Sequence, residues 1–271
     1  MKKAALSIMF VAVAIPILSC TGGALSGRAP RPGNEQLPPN MNLADRRDSS
    51  SRHLQFSGYE WSVKSSVRRV GPGPNYFSDS NDNVVVDAEG RLHLLITQRD
   101  GQWYCAEVVS TRSFGYGTYR FHLETNPDGL DVQVVLGMFT WSNDPAYNHR
   151  EIDIEISRWG KANNSNAQFV VQPYTRHENI VRFQTPTGLG SSTHLFTWKP
   201  NTVFFQSKQD SSAKAAAPNS FVKEYEFTEG IPQSGDENAR INLWLFTGHP
   251  PTNGKEVEVI ITKFEFIPLG Q

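Results

Sequence analysis

Cysteine is nearly absent from the 271-residue chain, which has only Cys20 and Cys105. That excludes a disulfide-rich scaffold and a cysteine-based zinc site. A surplus of charge is missing too. Lys plus Arg total 26 and Asp plus Glu 27, for a formal net charge of −1. A nucleic-acid partner would need a basic excess, so none is expected. The 7 histidines show no His-x-x-x-His or Glu-x-x-His spacing, and no metal site is expected from them. Long runs of helical period are lacking. The Ala-rich piece 213–217 stops at once on Pro218. No repeat of fixed period occurs, which argues against a propeller or solenoid.

One long apolar run is present, at the start. Lys2 and Lys3 precede residues 4–18, a stretch too short to cross a membrane comfortably, which closes on Ile17-Leu18-Ser19-Cys20. This segment resembles a bacterial lipoprotein signal with its lipobox. The resemblance implies cleavage of residues 1–19, lipidation of Cys20 and a membrane-anchored, extracytoplasmic protein. An ordinary secretory signal that happens to contain Cys is the alternative. Loss of Lys2 and Lys3 would take the net charge from −1 to −3. Thr21 rather than Asp after Cys20 favours the outer membrane where the source has two membranes. Residues 20–52 read as a flexible tether, rich in Gly, Pro and Ser and poor in large apolar groups.

From residue 53 to 271 the texture becomes short apolar runs of period two. Val84-Val85-Val86 and then Leu92, Leu94 and Ile96 flank a turn at Asp87, Glu89 and Gly90. Tyr119, Phe121 and Leu123 alternate with polar residues, and so do Val132, Val134 and Leu136, then Val257 and Val259, then Phe264 and Phe266. Alternation of this kind predicts half-buried strands. Many short strands with Gly, Pro, Asn and Asp between them predict an all-β, antiparallel sandwich or barrel. The span is large for an immunoglobulin-type sandwich and suits a jelly roll.

The most informative stretch is Glu151-Ile152-Asp153-Ile154-Glu155-Ile156. On a strand the three isoleucines point to one face and the three acids to the other. Two readings are open: an exposed edge strand on which repulsion is tolerated, or a set of carboxylates in a cleft. Acids are poor strand formers, and a solvated face more often mixes Lys, Thr and Arg. Glycoside hydrolysis needs two carboxyl groups, one protonated and one ionised. The Cα atoms of Glu151 and Glu155 would be about 13 Å apart on a flat strand. On a bowed strand, leaning side chains could close most of that gap. The charge of a middle acid helps keep a neighbour protonated.

The five residues from Glu151 to Glu155 resemble the E-x-D-x-E signature of glycoside hydrolase family 16. Residues 107–121, with Ser110, Phe114, Tyr116 and Gly117, look like a stretch of that family. So do His194 to Pro200, although the His-to-Trp spacing is shorter, and Asn242-Leu243-Trp244. These pieces run in family order over 107–244. The resemblance implies a β-jelly-roll of two antiparallel sheets with a concave sugar-binding cleft. It also implies a retaining endo-glycosidase acting on a β-linked polysaccharide of β-glucan or galactan type. By position Glu151 would be the nucleophile, Glu155 the general acid/base and Asp153 the assisting acid. Arg150 stands where related enzymes carry Asp, and residues 144–150 lack the Trp-Pro lead-in of laminarinases. Those departures bear on the substrate.

Sugars present apolar C–H faces that stack on aromatic rings. Trp141, Trp159 and Trp244 are the candidate platforms, and Asn242 a candidate hydroxyl partner. Arg158, Gln168, Gln172 and His194 are lesser candidates. Trp198 is expected in the core, Cys105 as a buried inert thiol, and Gly71-Pro72-Gly73-Pro74-Asn75 as a rigid turn at the cleft rim. No cofactor is expected. The resemblance implies a calcium ion, for which no ligand pattern is found. The expected partners are a polysaccharide and, through Cys20, a membrane, with the chain acting as a monomer. A transglycosylase and a non-catalytic carbohydrate-binding lipoprotein are the alternatives.

Overall fold

Turn chemistry sets much of the strand pairing. Asp100 and Gly101 both take positive φ, 51° and 77°, as the two central residues of the tightest hairpin turn require. Arg99 and Gln102 face each other across them. Ser57 and Gly58 repeat the device, bringing Phe56 opposite Tyr59.

The computed structural model describes residues 52–186, 188, 190–210 and 221–270. The expected signal, Cys20, all but the last residue of the expected tether, and the Ala-rich piece 213–217 lie outside the described residues. Arg52 is described, and its guanidinium donates to the carbonyls of Asp79 and Val84.

Sixteen strands form among the described residues. They are β1 (His53–Phe56), β2 (Tyr59–Val63), β3 (Tyr76–Phe77), β4 (Val84–Val86), β5 (Leu92–Arg99), β6 (Gln102–Ser113), β7 (Gly117–Leu123) and β8 (Val134–Trp141). There follow β9 (Ile152–Ile156), β10 (Ala167–Val171), β11 (Ile180–Phe183), β12 (Ser192–Lys199), β13 (Thr202–Gln209), β14 (Phe221–Phe227), β15 (Asn238–Leu245) and β16 (Val257–Pro268). Among the described residues helical geometry is confined to short 3-10 turns.

Fifteen of the strands make two antiparallel sheets, and the short β3 pairs in parallel with the start of β6. One sheet runs β11-β10-β9-β8-β15-β6-β2-β1, the other β4-β5-β16-β7-β12-β13-β14. The β5–β6 hairpin joins them. Leu92 to Ile96 of β5 pair with β16, Thr97 to Arg99 pair with the start of β6, and β6 then pairs with β15. This is the antiparallel all-β sandwich that the period-two runs predict.

The apolar faces of the sheets meet in one core. Ile152, Ile154 and Ile156 are fully buried, and each contributes about 1.5–3 kcal/mol by leaving water. Phe169 of the first sheet stacks on Phe205 of the second, 4.8 Å between centroids. Trp198 is buried, its indole N–H donating to the Pro232 carbonyl. Cys105 is buried as well, and burial pushes its thiol up to about 12. Val132 departs from the expected strand. Asp131 accepts from the amide of Gln133 and its carbonyl from that of Val134, which closes a turn at 131–134 before β8 can begin.

Candidate active site

Strand register lines up the polar face of the first sheet in rows. One row crosses six strands: Arg182, Gln168, Glu155, Gly137, Asn242 and Glu107 are successive cross-strand partners. The next row holds Val170, Asp153, Phe139 and Arg240. Continuing the β8–β9 register puts Glu151 beside Trp141. The rows floor a cleft of about 380 Å³, lined by Glu151, Asp153, Glu155, Trp141, Trp244 and Asn242 among others. Gly137 keeps this floor open, because a Cβ there would stand 2.5 Å from Asn242 Oδ1.

Glu151 is aimed by an unusual turn. Tyr147, Asn148, His149 and Arg150 all have φ between 52° and 63°, a left-handed run that costs roughly 1–2 kcal/mol per residue. The end of β8 holds it in place. Ser142 N donates to the His149 carbonyl at 2.7 Å, and Thr140 Oγ1 to that of Arg150 at 2.8 Å. The His149 ring stacks on Trp141 at 4.1 Å. The Arg150 guanidinium pairs with Asp144 at 3.1 Å, outside the cleft lining.

Three carboxyl groups packed together cannot all ionise cheaply. Burial, then the charge of Glu155, pushes Glu151 up to about 8, against the pull of a hydrogen bond from Asp153. Burial, then the charges of Glu151 and Glu155, holds Asp153 well above the ordinary carboxylate range. The same hydrogen bond favours Glu151 as the ionised partner and Asp153 as the proton holder. Glu155 is raised by burial, with Gln168 and Arg182 opposing. Gln168 donates to Glu155, Arg182 Nε donates to Gln168 at 3.1 Å, and Gln172 donates to Asp153 at 3.1 Å.

A second ionic cluster shares the floor. Glu107, 1% exposed, sits between Lys64 at 2.8 Å and Arg240 at 3.1 Å. Asn242 Nδ2 faces Glu107 at 3.5 Å, which turns Asn242 Oδ1 toward Gly137 without a protein partner. Arg240 Nε likewise has no partner, and its guanidinium lies 5.9 Å from the Trp141 ring. Replacing Arg240 with Met should cost about 3–5 kcal/mol by leaving Glu107 undercompensated. Thermal unfolding should show the loss, and adding Glu107→Gln to the same chain should restore most of it.

The structure gathers Glu151, Asp153, Glu155, Trp141, Trp244 and Asn242 into one cleft, with Gly71 and Pro72 on its wall. Gln168 and Gln172 join them by bonding the acids. Trp159 is placed differently. Strand β9 ends at Ile156, so alternation no longer governs, and Trp159 lies in a turn at φ 45°. It is outside the cleft lining, with Arg182 over its ring at 5.4 Å. His194 belongs to the other sheet. It is buried between the hydroxyls of Ser192 and Ser207, and burial lowers its pKa to about 4. Arg158 pairs with Asp128 at 2.6 Å, away from the acids. The described residues offer no group of three or more His, Cys, Asp or Glu side chains placed to hold a cation. The calcium ion implied by the resemblance therefore has no such donor set among them.

No family model matches the chain. In sequence it is 28% identical over 127 residues to a β-glucanase of Paenibacillus macerans, a match covering 45% of this chain and 51% of that protein. The chain thus spans about half the length of the curated relative it matches. In structure it superposes on the Bacillus licheniformis β-glucanase with a TM-score of 0.57 and 19% identity, over 81% of this chain and 99% of that one. The architecture is the β-glucanase fold. A lichenase (β-1,3-1,4-glucanase) from a mouse hindgut metagenome shares it with a TM-score of 0.52 and 19% identity, over 77% and 93% of the two chains. So does a β-1,3-glucanase of Mycobacterium marinum, with a TM-score of 0.55 and 14% identity, over 82% and 92%.

Within this β-glucanase fold, sequence reasoning missed Lys64, Glu107, Phe139 and Arg240 as cleft residues, and Arg182 as a support behind Glu155. Arg240 shares strand parity with Asn242, two positions on, which was a usable signal. Glu107 opens the stretch 107–121. Its place beside Asn242 depends on the β6–β15 register, and sequence spacing does not carry that.

Proposed function

We propose that the protein is a retaining endo-glycosidase acting on a β-linked polysaccharide of β-glucan type. The observation that carries this reading is the acid row itself, three carboxyl groups on one strand face inside an aromatic-lined cleft. The sequence match to a β-glucanase and the shared fold support a glycoside hydrolase of the β-glucanase type. Glu151 attacks the anomeric carbon and forms a glycosyl-enzyme, while Glu155 protonates the leaving oxygen. Glu155 then takes a proton from water, which displaces Glu151. Asp153 donates its hydrogen bond to Glu151, and Gln168 and Arg182 orient Glu155. Trp141 and Trp244 supply stacking surface, and Asn242 a hydroxyl partner.

The test is a panel of β-1,3-glucan, mixed-linkage glucan and neutral galactan, with products read by chromatography and the first-formed anomer by NMR. Release of oligosaccharides with the β-anomer first is expected. An α-anomer first would overturn the retaining mechanism, and no release from any glycan would overturn the activity. Transfer to an added acceptor in preference to water would assign transglycosylation instead.

The placement outside the cytoplasm rests on the Ile17-Leu18-Ser19-Cys20 motif. Labelled fatty acid should enter the wild-type protein and not Cys20→Ala, and the variant should leave the membrane fraction. Equal labelling would overturn the lipid anchor.

A further inference from the structure

The loop that walls the cleft has a second side. Gly71 and Pro72 line the cleft, whereas Pro74, Asn75 and Tyr76 line a separate hollow of about 250 Å³. On β15 the same division falls between Trp244, in the cleft, and Leu245, in the hollow. The loop is braced between the two. Asn75 is 4% exposed and donates through Nδ2 to the carbonyls of Pro72, at 2.9 Å, and Leu245, at 2.8 Å. Gly248, at φ 71°, packs so closely that a Cβ there would stand 2.5 Å from the Pro74 carbonyl oxygen.

The walls of the hollow carry what a sugar needs. Trp103 and Tyr76 are half-buried aromatics, and Gln98 and Gln102 are among the lining residues, Gln102 Nε2 donating to the Trp103 carbonyl at 3.0 Å. The Arg69 guanidinium stands 5.7 Å from the Tyr76 ring. A pyranose presents an apolar face for the rings and hydroxyls for amides and a guanidinium. No carboxyl group lines the hollow among the described residues, so it has no acid pair for cleaving a glycosidic bond.

We propose that this hollow is a second, non-cleaving glycan site, which holds a neutral sugar unit of the same chain that occupies the cleft. The identity of the ligand rests on the glycosidase reading. Two linked contacts on one chain raise the apparent affinity for long glycans and leave short ones unaffected.

Affinity electrophoresis in gels containing the glycans of the panel tests binding without cleavage, using Glu151→Gln as the parent. Adding Trp103→Ala should weaken retardation roughly tenfold or more in apparent Kd. Adding Gln98→Ala with Gln102→Ala tests the same wall should the Trp103 variant fail to fold. In the active protein, Trp103→Ala should raise KM for the long glycan and leave kcat and KM unchanged for an oligosaccharide that fills only the cleft. Unchanged retardation in both variants, or equal loss on long and short substrates, would overturn the second site. Retardation that depends on Trp103 with no cleavage by the wild-type protein would instead overturn the glycosidase reading and leave the second site standing.

Discussion

Glu151→Gln is expected to lower release of reducing ends by about 10⁴-fold, the scale on which loss of a nucleophile cripples a hydrolase. The substitution keeps size and hydrogen-bonding capacity but removes the attacking carboxylate. It should not unfold the protein. The backbone at Glu151 is fixed independently of its side chain, by the Gln172 amide on its carbonyl and by the turn from Tyr147 to Arg150. The substitution also removes one of three crowded acids. Thermal unfolding should therefore give a Tm equal to or above that of the wild type. Azide separates the two glutamates on a substrate with a good leaving group. In Glu151→Ala, azide attacks from the vacated side and yields the inverted glycosyl azide. In Glu155→Ala it attacks the glycosyl-enzyme and yields the retained one. The opposite stereochemistry would exchange the two roles, and full activity in Glu151→Gln would remove Glu151 from the mechanism.

Asp153→Asn should make the fold more stable at alkaline pH while slowing catalysis. An unfolded carboxyl group loses its proton near its ordinary value, about 4–4.5. In the fold, burial and the neighbouring acids raise both Asp153 and Glu151, Glu151 to about 8, so that the pair keeps a proton, carried by Asp153, to higher pH. Between those values the folded state binds more protons than the unfolded state. The stability contributed by the row is thus full below about pH 4 and is lost as pH rises toward 8. An amide at 153 resembles the protonated acid. Its NH₂ can donate to Glu151, its oxygen can accept from Gln172, and it never ionises. The variant should melt at a higher temperature than the wild type near pH 8.5. The gap should close near pH 4. Turnover should fall because the amide cannot exchange a proton with Glu151. A lower Tm than the wild type at pH 8.5 would show that Asp153 is ionised and stabilising in the fold.

Both expectations depend on particulars that were unequally visible beforehand. Alternation alone puts Glu151, Asp153 and Glu155 on one face of a strand and the isoleucines on the other, because side-chain direction on a strand is a local property. The same local reading placed a turn at Asp87, Glu89 and Gly90, between β4 and β5. It over-extended at both ends of the site. Val132 gave way to a side-chain turn at Asp131, and Trp159 to a bend past Ile156. His194 has the residue type of a site and the position of a core group. Only the sheet in which β12 lies decides between these.

By itself, then, the order of residues determined the all-β class, the period-two core and the shared face of three acids, each set within a few neighbouring positions. Tertiary structure alone decided which strands stand side by side. Glu107, Gly137, Asn242, Glu155 and Gln168 come from five strands between residues 107 and 242, and they meet because backbone hydrogen bonds fix one register across the sheet. The crowding that raises the acids and the pairing of Glu107 with Lys64 and Arg240 follow from that packing. So does the second hollow behind the Gly71–Asn75 loop. Desolvation and Coulomb forces act through space, and distance in space is what the linear chain does not state.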